Sequence, residues 1–195
     1  MRVSNFASAF DSIATLSIAY KRLLYVAWGV TFRAAYPLYC LVDTNIPTAV
    51  TAWLTNSTTA TTTYGPIDQW DVSSVSNMYG LFAYKPTFNA DIGGWNVALV
   101  STMFNMFYQA YAFNHNIAGW NTASVSNMYG MFRDASAFNQ PIGKWSVASV
   151  SNMEYMFTSA ASFAQNVAVW NVKSVTALRG RRCPVFPVLA RCAHR

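Results

Sequence analysis

The sequence contains few charged residues and few of the side chains on which catalysis depends. Charged residues make up 10% of the 195 residues, hydrophobic residues make up 53%, and only two histidines are present. A chain this hydrophobic and this weakly charged is not intrinsically disordered. No nucleophile–base set, phosphate-binding glycine loop or pair of carboxylates at an acid–base spacing is found. We therefore expect a protein that is not an enzyme and that binds neither a cofactor nor a metal ion.

Cysteine is also scarce. The three cysteines are Cys40, Cys183 and Cys192, and no C-x-x-C spacing occurs. The sequence therefore supports neither a disulfide framework nor a zinc site. A pair between Cys183 and Cys192 rests only on their proximity in the sequence, and the redox compartment stays open.

The net charge of +6 is concentrated outside the central part of the chain. Residues 66–178 carry four basic and five acidic side chains, and the rest of the chain carries nine basic and two acidic ones. A nucleic-acid-binding surface needs a basic patch or stripe, which the central part lacks. We expect no nucleic-acid partner.

The central part is a repeat with an interval of 25 residues. Tryptophan recurs at 70, 95, 120, 145 and 170, and phenylalanine recurs at 82, 107, 132 and 157 and again at 88, 113, 138 and 163. Valine, methionine and asparagine keep the same interval, the asparagines at 89, 114 and 139. A fixed period of about 20–50 residues is typical of solenoids, in which stacked units bury a shared core. We expect the tryptophans and methionines to lie in that core and the asparagines to satisfy backbone groups along the stack.

Two shorter patterns lie within each unit. Val125, Met128, Met131 and Phe132 have the spacing of one helical face, and Ser124 stands where a serine can cap such a helix, as do Ser74 and Ser149. The Phe-Asn-x-x-Ile segment is short, apolar and bounded by Gly or Pro, which favours a brief strand. The prediction is a right-handed α/β solenoid of the leucine-rich-repeat type, with about four to five units of one short strand and one short helix.

The chain divides into four parts on this basis. Residues 67–178 form the repeat solenoid, and residues 44–66 form an N-terminal capping helix and a connector. The helix is predicted from Val50, Trp53 and Leu54, which share one face, and the Thr-rich run 57–63 is predicted to be the connector.

The two ends lack the repeat. Residues 1–43 form a leader that is either a signal or membrane anchor, or a poorly ordered or incorrectly assigned segment. Its apolar stretch 23–42 has a membrane-spanning length but contains Arg33 and Pro37. Residues 179–195 form a basic tail with Arg181 and Arg182 at two core positions. We expect this tail to be disordered or to result from a wrong reading frame or splice boundary.

The repeat unit is specific enough to suggest a family. The segment WDVSSVSNMYGLF (70–82), with FNQPI (138–142) preceding Trp145, closely resembles the BspA-like leucine-rich-repeat surface proteins. The resemblance covers about residues 47–178. It implies a secreted or cell-surface location and a role in adhesion or protein binding. Any membrane association is expected only through the apolar residues 23–42. The partner it implies is a protein or a surface glycan.

Candidate contact residues lie in columns where polarity varies between units. One column holds Tyr79, Phe104, Tyr129 and Glu154, and another begins with Tyr84. If exposed, aromatic side chains one unit apart form a contact strip of the kind enriched at protein interfaces. The alternative is that they only cover the helix edge, in which case the chain is a structural repeat array or a fragment of a larger surface protein.

Overall fold

The computed structural model describes residues 41–177. Two α-helices open this range: α1, Ile46–Thr55, and α2, Ser57–Tyr64. Two single-turn 3₁₀ helices follow at Ile67–Gln69 and Ile142–Lys144. Turns, irregular segments and isolated bridges make up the remainder of the described repeat region, in which consecutive 25-residue coils lie side by side. The architecture is a solenoid-like periodic array, as the repeat interval predicts.

The repeated tryptophans lie in the core, and this prediction is confirmed. Their side chains are 3–6% exposed, and buried residues from Leu41 to Val175 form one continuous cluster. Each indole from the second coil onward donates its N–H to a main-chain carbonyl 28 residues earlier, at 2.8–3.3 Å: that of Ile67, Ile92, Ile117 or Ile142. A buried indole needs such an acceptor. The tryptophans therefore fasten each coil to the one before it.

The phenylalanines form two parallel stacks through the array. Rings in the first stack (82, 107, 132, 157) are 5.5–5.8 Å apart between centroids, and rings in the second (88, 113, 138, 163) are 5.7–5.9 Å apart. Within one coil the two rings are closer, as between Phe107 and Phe113 at 4.0 Å. The phenylalanine rings of each coil therefore pack against the equivalent rings of the neighbouring coils.

The segment predicted to be a helix is instead a ribbon of tight turns. In the second coil, alternate N–H groups donate to the next coil at 2.8–2.9 Å: Met103 to Asn127, Asn105 to Tyr129, Phe107 to Met131. The N–H of Met106 donates three residues back, to Met103. An α-helix requires donation four residues back. The helix prediction was wrong because the neighbouring coil supplies acceptors that local spacing does not reveal.

Left-handed residues at two fixed columns make these turns possible. The first column is Gly80, Asn105, Gly130 and Tyr155, with φ between +52° and +59°. The second is Tyr84, Gln109, Asp134 and Ser159, with φ between +57° and +59°. A type II turn needs a positive φ at its third residue, where glycine is favoured. The ribbon still buries Met103, Met106 and Phe107, so the core positions were predicted correctly although the element was not.

The predicted strands are also absent from the described residues. The coils are linked by isolated parallel bridges along one column, Asn77, Thr102, Asn127, Asn152 and Ala177. At the Phe-Asn-x-x-Ile segment the acceptors are side-chain amide oxygens, so no main-chain ladder forms there. Asn89 Oδ1 accepts the N–H of Asn114 at 2.9 Å, and Asn114 Oδ1 accepts the N–H of Asn139 at 2.9 Å. These asparagines satisfy backbone groups along the stack, as expected.

Serines form a second ladder between the coils. The N–H and hydroxyl of Ser101 both donate to the carbonyl of Ser76. The same pattern recurs at Ser126, Ser151 and Thr176, each of which donates to the equivalent carbonyl 25 residues earlier. Ser124, predicted to cap a helix, instead donates its hydroxyl to the carbonyl of Ala98 at 2.8 Å. Ser124 therefore joins two neighbouring coils instead of capping the first turn of a helix.

Residues 41–66, here called the N-terminal cap, supply hydrogen-bond acceptors and ring contacts that a preceding coil would otherwise provide. The Asp43 carboxylate accepts the N–H and hydroxyl of Ser76 and the N–H of Asn77. Burial raises the pKa of Asp43, but these hydrogen bonds lower it, and the net pKa lies below the usual 3.8. Tyr64 packs edge-on against Trp70, at 6.1 Å between ring centroids.

Helix α1 lies in the segment for which a capping helix was predicted, and α2 occupies the run 57–63 that was predicted to be a connector. Val50 is buried, and Trp53 and Leu54 pack against the core. In α2 the Asn56 side chain caps the first turn through the N–H of Thr59, and Ala60 is buried. Threonine hydroxyls donate to main-chain carbonyls one turn earlier in α2, as Thr61 does to Ser57. These hydroxyls are therefore not available for the local backbone hydrogen bonds that favour a loop.

The predictions for most of the leader, for Leu178 and for the tail 179–195 lie outside the described residues. Within residues 41–177, no helix combines the length and apolar character needed to cross a membrane.

Candidate functional site: an aromatic face on the turn ribbon

The ribbon of turns presents an outward surface that is rich in rings. Its outward positions are 79, 80, 83 and 84 and their equivalents at intervals of 25 residues. We call the ring-bearing and cationic side chains of this surface the aromatic face: Tyr79, Tyr84, Phe104, Tyr108, Tyr129, Arg133 and Tyr155. Tyr79 and Tyr84 are 63% and 64% exposed, and the other members are half-buried.

Three rings of this face form a regular stack. The Tyr79 and Phe104 centroids are 4.8 Å apart with planes 4° from parallel, and the Phe104 and Tyr129 centroids are 4.7 Å apart with planes 5° from parallel. This spacing is that of neighbouring strands in a sheet, because each ring follows the backbone of its own coil. The stacked contacts therefore hold the three rings in fixed positions.

A second group lies beside the stack and is centred on Arg133. Its guanidinium carbon is 5.3 Å from the Tyr108 ring centroid and 5.5 Å from the Tyr155 ring centroid, within the range of cation–π attraction. Tyr155 also packs edge-on against Tyr129 at 5.4 Å, and Tyr84 packs edge-on against Tyr108 at 5.0 Å. The rings and the cation therefore form one connected surface.

Polar groups on this surface are incompletely satisfied. Arg133 Nε is 3.7 Å from Asp134 Oδ2, which is too long for a hydrogen bond. In residues 41–177, the buried side-chain polar atoms without a hydrogen bond are Asn105 Oδ1, Arg133 Nε and Thr158 Oγ1, and all three lie on the outward positions of the ribbon. Such atoms typically cost about 1–3 kcal/mol each.

The backbone beneath two of the tyrosines is strained. Tyr84 and Tyr155 both have φ +59°, a conformation that is costly for bulky residues and easy for glycine. Glycine occupies the position equivalent to Tyr155 in two coils, as Gly80 and Gly130, whereas the column of Tyr84 contains no glycine. The sequence therefore places a half-buried tyrosine where glycine occurs in other coils, and an exposed tyrosine at a second left-handed position.

The four predicted contact residues are all part of this surface. Tyr79, Phe104 and Tyr129 stack together, and Tyr84 lies nearby against Tyr108. Tyr108, Arg133 and Tyr155 were not predicted from the sequence. A helix and a ribbon of turns bring different positions to the outward surface, and the prediction assumed a helix. The signal was present: Gly80 and Gly130 in one column mark a left-handed position and hence a turn.

Residues 41–177 contain no group of three or more His, Cys, Asp and Glu side chains placed to hold a metal ion. His115, the histidine within the repeat, is half-buried.

The stacked coils and their exposed rings define a solenoid-like repeat protein with an aromatic surface. The model of the DUF285 family, described as a Mycoplasma protein of unknown function, matches residues 51–170. That match covers more than half of the chain, and the protein belongs to this family. No curated protein and no solved structure matches the chain.

Proposed function

We propose that this protein is a non-enzymatic binding module that contacts a protein partner through the aromatic face. The single observation that carries the proposal is the stack of the exposed Tyr79 and the half-buried Phe104 and Tyr129, with near-parallel rings 4.7–4.8 Å apart. Tyrosine and arginine are the residues that dominate binding energy at protein interfaces. The aromatic face, with its five tyrosines and Arg133, concentrates such residues on one surface of the array.

Preorganisation supports the same interpretation. Rings already held by their neighbours lose little side-chain freedom when a partner binds, which lowers the entropic cost of association. The left-handed Tyr84 and Tyr155 are further support, since strained backbone in folded proteins clusters at functional sites. The purely structural alternative gives no reason to keep Tyr155 where other coils have glycine, or the exposed Tyr84 on a left-handed backbone.

The orientation of the rings favours a protein over a glycan. The middle ring of the stack, Phe104, is covered on both faces by Tyr79 and Tyr129, so that mainly its edge meets solvent. Sugars in aromatic platforms pack against ring faces, whereas ring edges carry partial positive charge and suit carbonyl groups and the faces of other aromatic rings. A protein surface offers both of these groups.

We also propose a relationship to the BspA-like leucine-rich-repeat surface proteins, with a secreted or cell-surface location and a role in adhesion. The support is the shared W-D-V-S-x-V-x-N-M motif and its 25-residue interval. Protease treatment of intact producing cells tests the location. Loss of the protein from intact cells supports a surface location, and protection until the cells are lysed contradicts it.

The binding proposal is tested with a triple variant, Tyr79→Ala/Phe104→Ala/Tyr129→Ala. A matched control is Leu99→Ser/Tyr111→Ala/Val169→Ser, which changes large side chains that are 45–74% exposed on other surfaces. Candidate partners retained by the wild-type protein are quantified for all three forms, in parallel with a glycan array. We expect the triple variant to lose at least tenfold in affinity for a protein partner and the control to keep it.

Two results would contradict this proposal. Equal retention by the triple variant and the wild-type protein, with both shown to be folded by circular dichroism, would favour the structural alternative. Loss of glycan binding alone, with no protein partner affected, would identify a glycan as the partner.

A further inference from the structure

A groove lies at the N-terminal end of the array, away from the aromatic face. It has a volume of about 530 Å³ and opens between the corner of α1 and α2 and the first coil. Apolar and polar side chains line it together: Trp53, Leu54, Thr55, Asn56, Ser57, Thr87, Phe88, Asn89 and Ala90.

The groove lies beside the first member of the asparagine ladder. In the following coils the N–H at this position donates to the asparagine oxygen of the preceding coil, as Asn114 does to Asn89 and Ala164 does to Asn139. Among residues 41–177, no acceptor meets the N–H of Asn89. The ladder therefore begins with a donor that has no asparagine before it.

The N-terminal cap fills the neighbouring columns but leaves this one open. Asp43 takes the place of a preceding serine, and Tyr64 packs where a preceding tryptophan would lie. Trp53 packs edge-on against Phe88 at 6.0 Å, in the place of a preceding phenylalanine. No cap residue takes the place of a preceding asparagine, and the groove occupies that place.

Ala90 keeps the groove open. The equivalent residue is His115 in the second coil and glutamine in the third and fourth coils, where Gln140 and Gln165 donate their side-chain amides to the asparagine of the preceding coil. Alanine at position 90 can make no such bond and fills little space.

We propose that this groove binds an extended peptide segment whose asparagine side chain continues the ladder. The carboxamide oxygen accepts the N–H of Asn89, and flanking apolar side chains lie against Trp53 and Leu54. This is recognition by extension of an existing hydrogen-bonded array, as in strand addition to a sheet edge. The site is independent of the aromatic face.

The probe is a peptide copied from the chain itself, Ala-Phe-Asn-Gln-Pro-Ile (residues 137–142), blocked at both ends. It is titrated into the ¹⁵N-labelled full-length protein and followed by NMR. We expect the Asn89 amide resonance to move downfield and the Trp53 indole resonance to shift. An Asn139→Leu version of the peptide should bind about fivefold more weakly, the factor that one hydrogen bond provides.

Two protein variants test the location of the site. Thr87→Trp places a large ring in the groove from an exposed position and should weaken binding at least tenfold. Thr61→Trp makes the same change on an exposed residue of α2 that does not line the groove, and should leave binding unchanged.

Three outcomes would overturn the proposal: an Asn89 resonance that does not respond, equal binding of the two peptides, or wild-type affinity in Thr87→Trp. The first would mean that water alone satisfies the Asn89 N–H. If Thr87→Trp does not fold, the comparison of the two peptides on the wild-type protein still decides the question.

Discussion

Replacing Gly80 by alanine distinguishes a ribbon of turns from a helix by the sign of the stability change. In a helix interior, alanine is more stable than glycine by about 0.8–1.0 kcal/mol. In the turn ribbon, Gly80 has φ +59°, and an added Cβ would meet only the Ala83 Cβ, at 3.8 Å. The left-handed conformation costs an alanine about 1–2 kcal/mol, partly offset by about 0.4–1 kcal/mol from the less flexible unfolded chain. We therefore expect a net destabilisation of about 1 kcal/mol.

Two other glycines serve as controls for this prediction. Gly119 has no positive φ and no atom within 4 Å of an added Cβ, so that Gly119→Ala should be neutral or stabilising. Gly130 has φ +57°, and its added Cβ would lie 2.2 Å from Asn105 Oδ1, so that Gly130→Ala should cost more than Gly80→Ala. The assay is urea unfolding followed by circular dichroism. A Gly80→Ala protein that is more stable than the wild-type protein would refute the turn ribbon.

The remaining predictions concern stability and the cost of the exposed rings. Tyr84→Asn, which suits a left-handed backbone better, should leave the free energy of unfolding unchanged or raise it while it weakens partner binding. Phe107→Ala should cost about 3–5 kcal/mol in urea unfolding, since it removes a fully buried ring from the middle of a stack. Trp120→Phe should cost about 1–3 kcal/mol, because it leaves the Ile92 carbonyl buried without its donor. Because the folded-state pKa of Asp43 is lowered, its stabilising effect is fully present above the usual pKa of 3.8 and is lost as the pH falls through the lower pKa of the folded state. The stability difference between wild type and Asp43→Asn should therefore shrink in acid, and a difference independent of pH would contradict the hydrogen-bonded carboxylate.

The core of the array could be predicted from the sequence, because a residue that recurs in every coil meets its own copies. Trp120 and Trp145 stack at 6.2 Å between centroids, and Phe107 and Phe132 stack at 5.5 Å. A fixed interval is therefore direct information about spatial neighbours. The same logic identified the stack of Tyr79, Phe104 and Tyr129.

The secondary structure could not be predicted in the same way. Buried side chains three and four residues apart, such as Met103, Met106 and Phe107, fit a helix and a ribbon of turns equally well. The choice depends on where alternate N–H groups find acceptors, and these acceptors belong to the next coil. Arg133 and Tyr155 were missed for the same reason, since only the turns bring them to the outward surface.

The claim on which the account depends is that consecutive coils are joined by main-chain hydrogen bonds into one stack. Scalar couplings across hydrogen bonds, measured by NMR, test it most directly. We predict correlations between residues 24 apart: Met103 with Asn127, Asn105 with Tyr129, and Phe107 with Met131. Correlations from each of these amides to the carbonyl four residues earlier would show a helix and contradict the account.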